Sequence, residues 1–227
     1  MTTVAPTAPT QAGAARRWML TVGALLLAGP VLFDLGYALH PSLPMDVEAA
    51  LAEVADVRTR HAAAKVMVAF GGLLMIALLL AYRRWLVPAR GRGLATAGTA
   101  LAAMGLAANS LSQAAHGYLL YWASAPDVAR SAGADVVAAA EADTSAVTLP
   151  VSFFSVPLFA VGLVLVAVAL WRAGSVPRWV PIGMVVAGLA AGTIGTGPLM
   201  LVVLALDVAI AGTALAHAAR RATDVAP

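Results

Sequence analysis

A chain of 227 residues that is 61% hydrophobic and only 11% charged departs far from soluble domains, where about 25% of residues are charged; much of its surface must therefore face lipid. The net charge of +3 does not point to nucleic acid, because the basic residues stand in short groups beside apolar segments rather than along one soluble face. With no cysteine, disulfides, thiolate nucleophiles, Cys-ligated zinc and Cys-held iron–sulfur clusters are excluded.

Residues 1–17 read as a disordered cytoplasmic tail rich in Thr, Pro and Ala. Arg16-Arg17 before Trp18-Met19-Leu20 has the look of a secretory or twin-arginine signal, but the apolar run continues to Leu39. That is long for a signal core, so a retained first span is expected. Six spans are predicted in chain order: Trp18–Leu39, Ala62–Tyr82, Leu94–Trp122, Thr148–Trp171, Val180–Gly195 and Pro198–His217. The fifth is short, and Thr196-Gly197-Pro198 reverses the chain after it. Together they define an all-α polytopic bundle over residues 18–219, followed by a tail at 220–227. The positive-inside rule puts both termini in the cytoplasm: ten basic residues fall on that side, leaving Arg58, Arg60, Lys65 and Arg130 outside. Tyr82, Trp85, Trp171 and Trp179 then mark the inner interface, and the location is a bacterial inner membrane.

Two outer connections are long. In Pro44–His61, Leu51, Val54 and Val57 recur at helical spacing among acidic residues, which predicts a short surface helix able to act as a lid. Ala123–Ala146 reads as a solvated, Ala-rich acidic loop with a turn or more of helix.

Polar residues inside the spans carry the chemistry. Asn109, Ser112, Gln113 and His116 make one stripe on the third span, and Thr148, Ser152 and Ser155 recur on the fourth. Asp34 and Asp207 are carboxylates in apolar surroundings, each costing about 2.5–3.5 kcal/mol if ionised at the bilayer centre. Depths counted at about 1.5 Å per residue place these groups in one polar cavity opening outward, with His40 and His61 at its rim. Three chemistries fit. Zinc held by His40, His61 and His116 with an aspartate would suit a hydrolase, although no paired-histidine motif is present. Bis-histidine haem fits less well, so no cofactor is assigned. A carrier or proton-coupled transporter would use Asp34 and Asp207 to bind an ion or ligand.

The third chemistry is acid catalysis, since a carboxyl in an apolar cavity keeps a proton available to donate. Asp34, Asp207 and His116 are then the candidate catalytic groups. Tyr37, Asn109, Gln113, Tyr118, Phe153, Phe154 and Ser155 are candidates to bind a lipidic substrate, the rings by facing a carbocation. In size, spans and paired carboxylates the chain resembles the small membrane-embedded terpene cyclases, which implies an isoprenoid or other lipid as substrate. Leu39-His40-Pro41, His61 and the segment Val168-Ala169-Leu170-Trp171-Arg172-Ala173-Gly174-Ser175-Val176-Pro177-Arg178-Trp179 resemble small six-span membrane proteins of GC-rich bacteria. That second resemblance implies fold and membrane location only.

Overall fold

The computed structural model describes the backbone of residues 11–142 and 148–224, and the side chains within them except at 11–16, 148–150, 152–153 and 222–224. Phe153, Ser152 and Thr148 therefore have described backbone but lie outside the described side chains. Nine α-helices make up the described chain, with no strand among the described residues. They are α1 (Gln11–Leu26), α2 (Ala28–Leu39), α3 (Val47–Asp56), α4 (Arg58–Leu86), α5 (Arg92–Ala123), α6 (Arg130–Ala142), α7 (Thr148–Ala173), α8 (Trp179–Ile194) and α9 (Met200–Asp224). A 3₁₀ turn at Ala89–Gly91 joins α4 to α5.

Five helical segments are long and apolar enough to cross a bilayer: Arg17–Leu39, Arg58–Leu86, Ala89–Ala123, Phe154–Ala173 and Met200–Arg221. The first comprises α1 and α2, joined at Leu27 with the backbone still helical (φ −64°, ψ −20°). Pro30 loosens it there, because it cannot donate to the carbonyl of Leu26 four residues back. The remaining expected span is α8, a 16-residue apolar helix; at about 1.5 Å per residue it reaches roughly 24 Å. Its end is set by Gly195 (φ 74°) and Gly197 (φ 103°), both in the left-handed region that glycine enters without steric cost. The Gly197 N–H donates to the Tyr37 carbonyl (3.1 Å), tying this turn to α2.

Helix contacts close into a ring. α2 packs on α4, α4 on α5, α5 on α7, α7 on α8, α8 on α9, and α9 back on α2, with α1 lying along α9. In lipid, such seams depend on close backbone approach more than on an apolar driving force. The α5–α7 seam illustrates this: a Cβ added at Gly98 would sit 2.8 Å from the Gly162 carbonyl oxygen.

A second, smaller core lies at the end of the bundle where α2 stops. Asp46 caps α3 by accepting from the Ala49 N–H (2.8 Å), and Leu51 and Val54 turn inward onto Val137 of α6 and Leu120 of α5. The short helix expected within Pro44–His61 is present as α3, packed onto α5 and α6. The connection expected to be a solvated loop with a turn or more of helix carries a 13-residue helix, with Gly133, Ala134 and Val137 buried against α3 and α5. α3 and α6 together roof the ring at this end.

Candidate functional site

Ring closure brings the two intramembrane acids together. Asp34, on α2, is 1% exposed, and its Oδ2 finds no N–H or hydroxyl partner among the described residues. The group facing it at hydrogen-bonding range is the Asp207 carboxyl on α9. Carboxylates only accept hydrogen bonds, so a bond between two carboxyls requires one proton shared by the pair. The pair borders a void of about 50 Å³ whose other walls are mostly apolar, among them Phe33, Met75, Leu79, Phe159 and Met184. Tyr82 also lines it. Although its position at the end of a span suggested an interfacial anchor, Tyr82 is 3% exposed and faces Asp207.

A second, larger chamber of about 370 Å³ adjoins the void, and both share Phe33, Phe159, Gly188 and Ala191 as walls. Its volume falls within the range of roughly 300–1,000 Å³ typical of small-molecule sites. The polar side is built by Tyr37 with the α5 stripe. Tyr37 Oη donates to Asn109 Oδ1 (3.4 Å) and accepts from Gln113 Nε2 (3.2 Å). Ser112 and Ser155 complete that side, and Thr196 enters from the α8–α9 turn. Phe33 stacks edge-on against Tyr37 at 5.1 Å between ring centres, fixing the ring that presents the hydroxyl.

Above the chamber, toward the α3–α6 roof, Lys65 is only 7% exposed and donates through Nζ to Gln113 Oε1 at 2.6 Å. One turn earlier His61 is fully buried, and neither ring nitrogen has a partner among the described residues. Its ring lies 4.9 Å from that of His40. His40 ends α2 just beyond the span and pairs through Nδ1 with the Pro41 carbonyl (2.6 Å), leaving Nε2 buried and unpartnered among the described residues. Burial first, then the neighbouring Lys65 and His61, hold His40 down at about 3, so it is neutral near pH 7.

The expected residues therefore divide. Asp34 and Asp207 meet, and Tyr37, Asn109, Gln113 and Ser155 line the adjoining chamber. His116 is not with the acids: it faces Glu141 of α6 at 3.8 Å, under the roof. Tyr118 and Phe154, expected to bind substrate, point away from the bundle, being 69% and 55% exposed. His61, expected at the rim of the cavity, is fully buried. The zinc constellation does not assemble, since among the described residues no group of three or more His, Cys, Asp or Glu could hold a metal ion. Two residues escaped the sequence reading. Tyr82 was assigned to an interface, and Lys65 was counted with external loop charges although it sits inside the span, one turn from His61.

No family model, curated protein or solved structure matches the chain.

Proposed function

We propose that this chain binds an isoprenoid or other unsaturated lipid in the 370 Å³ chamber and that the Asp34–Asp207 pair transfers its shared proton to it. The observation that carries this reading is the pair itself: two carboxyls from opposite ends of the sequence, enclosed by apolar side chains, beside a chamber of ligand size. In such a step the proton adds to an alkene carbon, leaving a carbocation. Loss of a different proton back to the carboxylate then gives an isomerised or cyclised product with no co-reactant. Phe33, Tyr37 and Phe159 line the chamber, where their rings could stabilise the cation. The distribution of basic residues supports placing both termini in the cytoplasm, with the chamber on the external half and α8 as a sixth, short membrane segment.

Membranes carrying the full chain, incubated with unsaturated isoprenoids in D₂O, should yield a product labelled at the protonated carbon. Asp34→Asn and Asp207→Asn should each abolish that label, and unchanged turnover in both would reject the proposal.

A proton-coupled carrier is the second reading. The short α8 favours it, because unusually short membrane segments help to build midplane sites in transporters. Net uptake of an unaltered compound, without deuterium incorporation, would select it.

A further inference from the structure

The acids leave one buried charge unexplained. Lys65 lies within a membrane span, 7% exposed. Its hydrogen-bond partner is the neutral Gln113 amide, and among the described residues no carboxylate pairs with it. The other groups within its electrostatic range at this end are histidines: His40, His61 and His116. Of these only His116 has an acid, Glu141. An unpaired cation buried in hydrocarbon is costly enough that such residues pair or mark a ligand site. The neighbouring histidines make the imbalance sharper. The fully buried His61 has two ring nitrogens without partners, one of them an N–H donor in the neutral ring, so the donors of Lys65 and His61 together lack acceptors and a counter-charge among the described residues.

We propose that Lys65, with His61, receives the oxyanion head of an amphiphile whose apolar tail lies in the chamber. This rests on the reading of the chamber as a lipid site, and it names the class of lipid: one ending in a carboxylate or phosphate. The placement follows from Gln113, which faces both ways. Its Oε1 holds the Lys65 ammonium, while its Nε2 reaches Tyr37 at the wall of the chamber. An ammonium carries three N–H donors, so two remain after the bond to Gln113. A neutral imidazole donates from one nitrogen, so His61 adds a donor without adding repulsion for a neighbouring cation. An oxyanion accepts from all of these at once, and such charge-assisted bonds are the strong ones. A metal ion is a poorer occupant, because the ammonium would repel it and no third ligand of carboxylate or thiolate type stands with His40 and His61 among the described residues. The α3–α6 roof closes over this end, which keeps the head group out of bulk water and preserves the strength of the pairing.

The test is binding alone, measured on the purified full chain in a non-ionic detergent, so that failure of proton transfer to the lipid leaves its result intact. Oleate and oleyl phosphate supply head and tail, oleyl alcohol the tail alone, acetate and inorganic phosphate the head alone. Oleate or oleyl phosphate should bind at least tenfold more tightly than oleyl alcohol. Lys65→Gln should bring the anionic lipids to the affinity of the alcohol, and Lys65→Arg should retain the preference. His61→Gln should weaken the anionic lipids more than the alcohol. Equal affinities for alcohol and anionic lipid in the native chain would overturn the proposal. So would a preference that survives Lys65→Gln, or acetate and phosphate binding as tightly as the lipids. Asp143 lies outside the described residues. If the native chain showed no preference for anionic lipids and Asp143→Asn created one, the counter-charge would be the chain's own and the proposal would fail. Circular dichroism of each variant separates loss of binding from loss of fold.

Discussion

Replacing the acids with leucine, singly and together, tests whether Asp34 and Asp207 are one unit. Asp34→Leu would leave the Asp207 carboxyl in apolar surroundings without its partner, and a buried polar group so abandoned costs about 1–3 kcal/mol. Asp207→Leu would abandon Asp34 in the same way, and Asp34 has less recourse to solvent at 1% exposure. The void of about 50 Å³ beside the pair gives the larger leucine room, so overpacking adds little to either penalty. The double variant removes both polar groups, and apolar replacement of a complete buried pair is close to neutral. The double variant is therefore expected to be more stable than the two single penalties combined imply, by at least about 1.5 kcal/mol. Asp34→Asn should cost less than Asp34→Leu, since its amide still donates to the Asp207 carboxylate. Unfolding in mixed micelles, titrated with a denaturing detergent and followed by helical circular dichroism, gives all the required differences. Single penalties that add to within about 0.5 kcal/mol would mean that the two carboxyls are satisfied separately, and the proton-sharing pair would have to be abandoned.

Three further outcomes are expected. His40 is held at about 3 against an ordinary 6.5, so between those values the unfolded chain takes up a proton that the folded chain refuses. Its contribution is then complete above pH 6.5 and is lost as the pH falls toward 3; the unfolding temperature should drop over that window, and His40→Gln should flatten the drop. Gly98→Val forces a side chain into backbone and side-chain atoms 2.8 Å away across the α5–α7 seam, whereas Gly212→Val meets nothing within 4 Å. The first should lower the detergent unfolding midpoint by the equivalent of at least about 1–3 kcal/mol, and the second by much less; equal losses would refute the close seam. Leu51→Ala, at a position 2% exposed in the roof, should cost about 2–5 kcal/mol and raise hydrogen exchange in α3 and α6. Exchange rising equally in α4 and α5 would show that the roof is not a separable unit.

What the sequence disclosed depended on which coordinate of a helix mattered. Length and apolarity locate the spans, because the bilayer fixes both. Depth follows from counting residues, and that was enough to put Asp34 and Asp207 near one level. Azimuth on α5 follows from the same count. At about 100° per residue, His116 returns almost to the Asn109 face seven residues on, yet roughly 10 Å farther along the axis, which is why it meets α6 instead of the acids. Tyr118, nine residues after Asn109, comes out on the opposite face and so toward lipid. α6 was obscured by composition: in a segment dominated by alanine, Val137 is one of few side chains able to signal a buried face. Neighbour order around the ring was not legible at all, because apolar helices with glycine seams pack in many orders and no periodicity distinguishes them. Lys65 was missed for a simpler reason. It was sorted by charge with the loop arginines when its spacing from His61 already placed both on one helical face.

The order of the ring is what gives these side chains a joint chemistry. Asp34 and Asp207 belong to the first and last membrane segments, and only closure of α9 onto α2 turns two separately costly acids into a pair that needs a single proton. The same α2 helix carries Tyr37 one turn from Asp34, so the hydroxyl that orders Asn109 and Gln113 is fixed in register with the acid pair. Gln113 then carries that register to Lys65 on α4. A ligand held by its head at Lys65 would extend past Tyr37 toward Phe33 and Phe159, the walls that the chamber shares with the acid void. On this proposal the buried cation and the buried acids, kept apart along the bundle axis, would select a molecule by charge at one end and expose its apolar body to a proton at the other. Were they adjacent, they would neutralise each other as an ion pair, and neither would be left for a ligand.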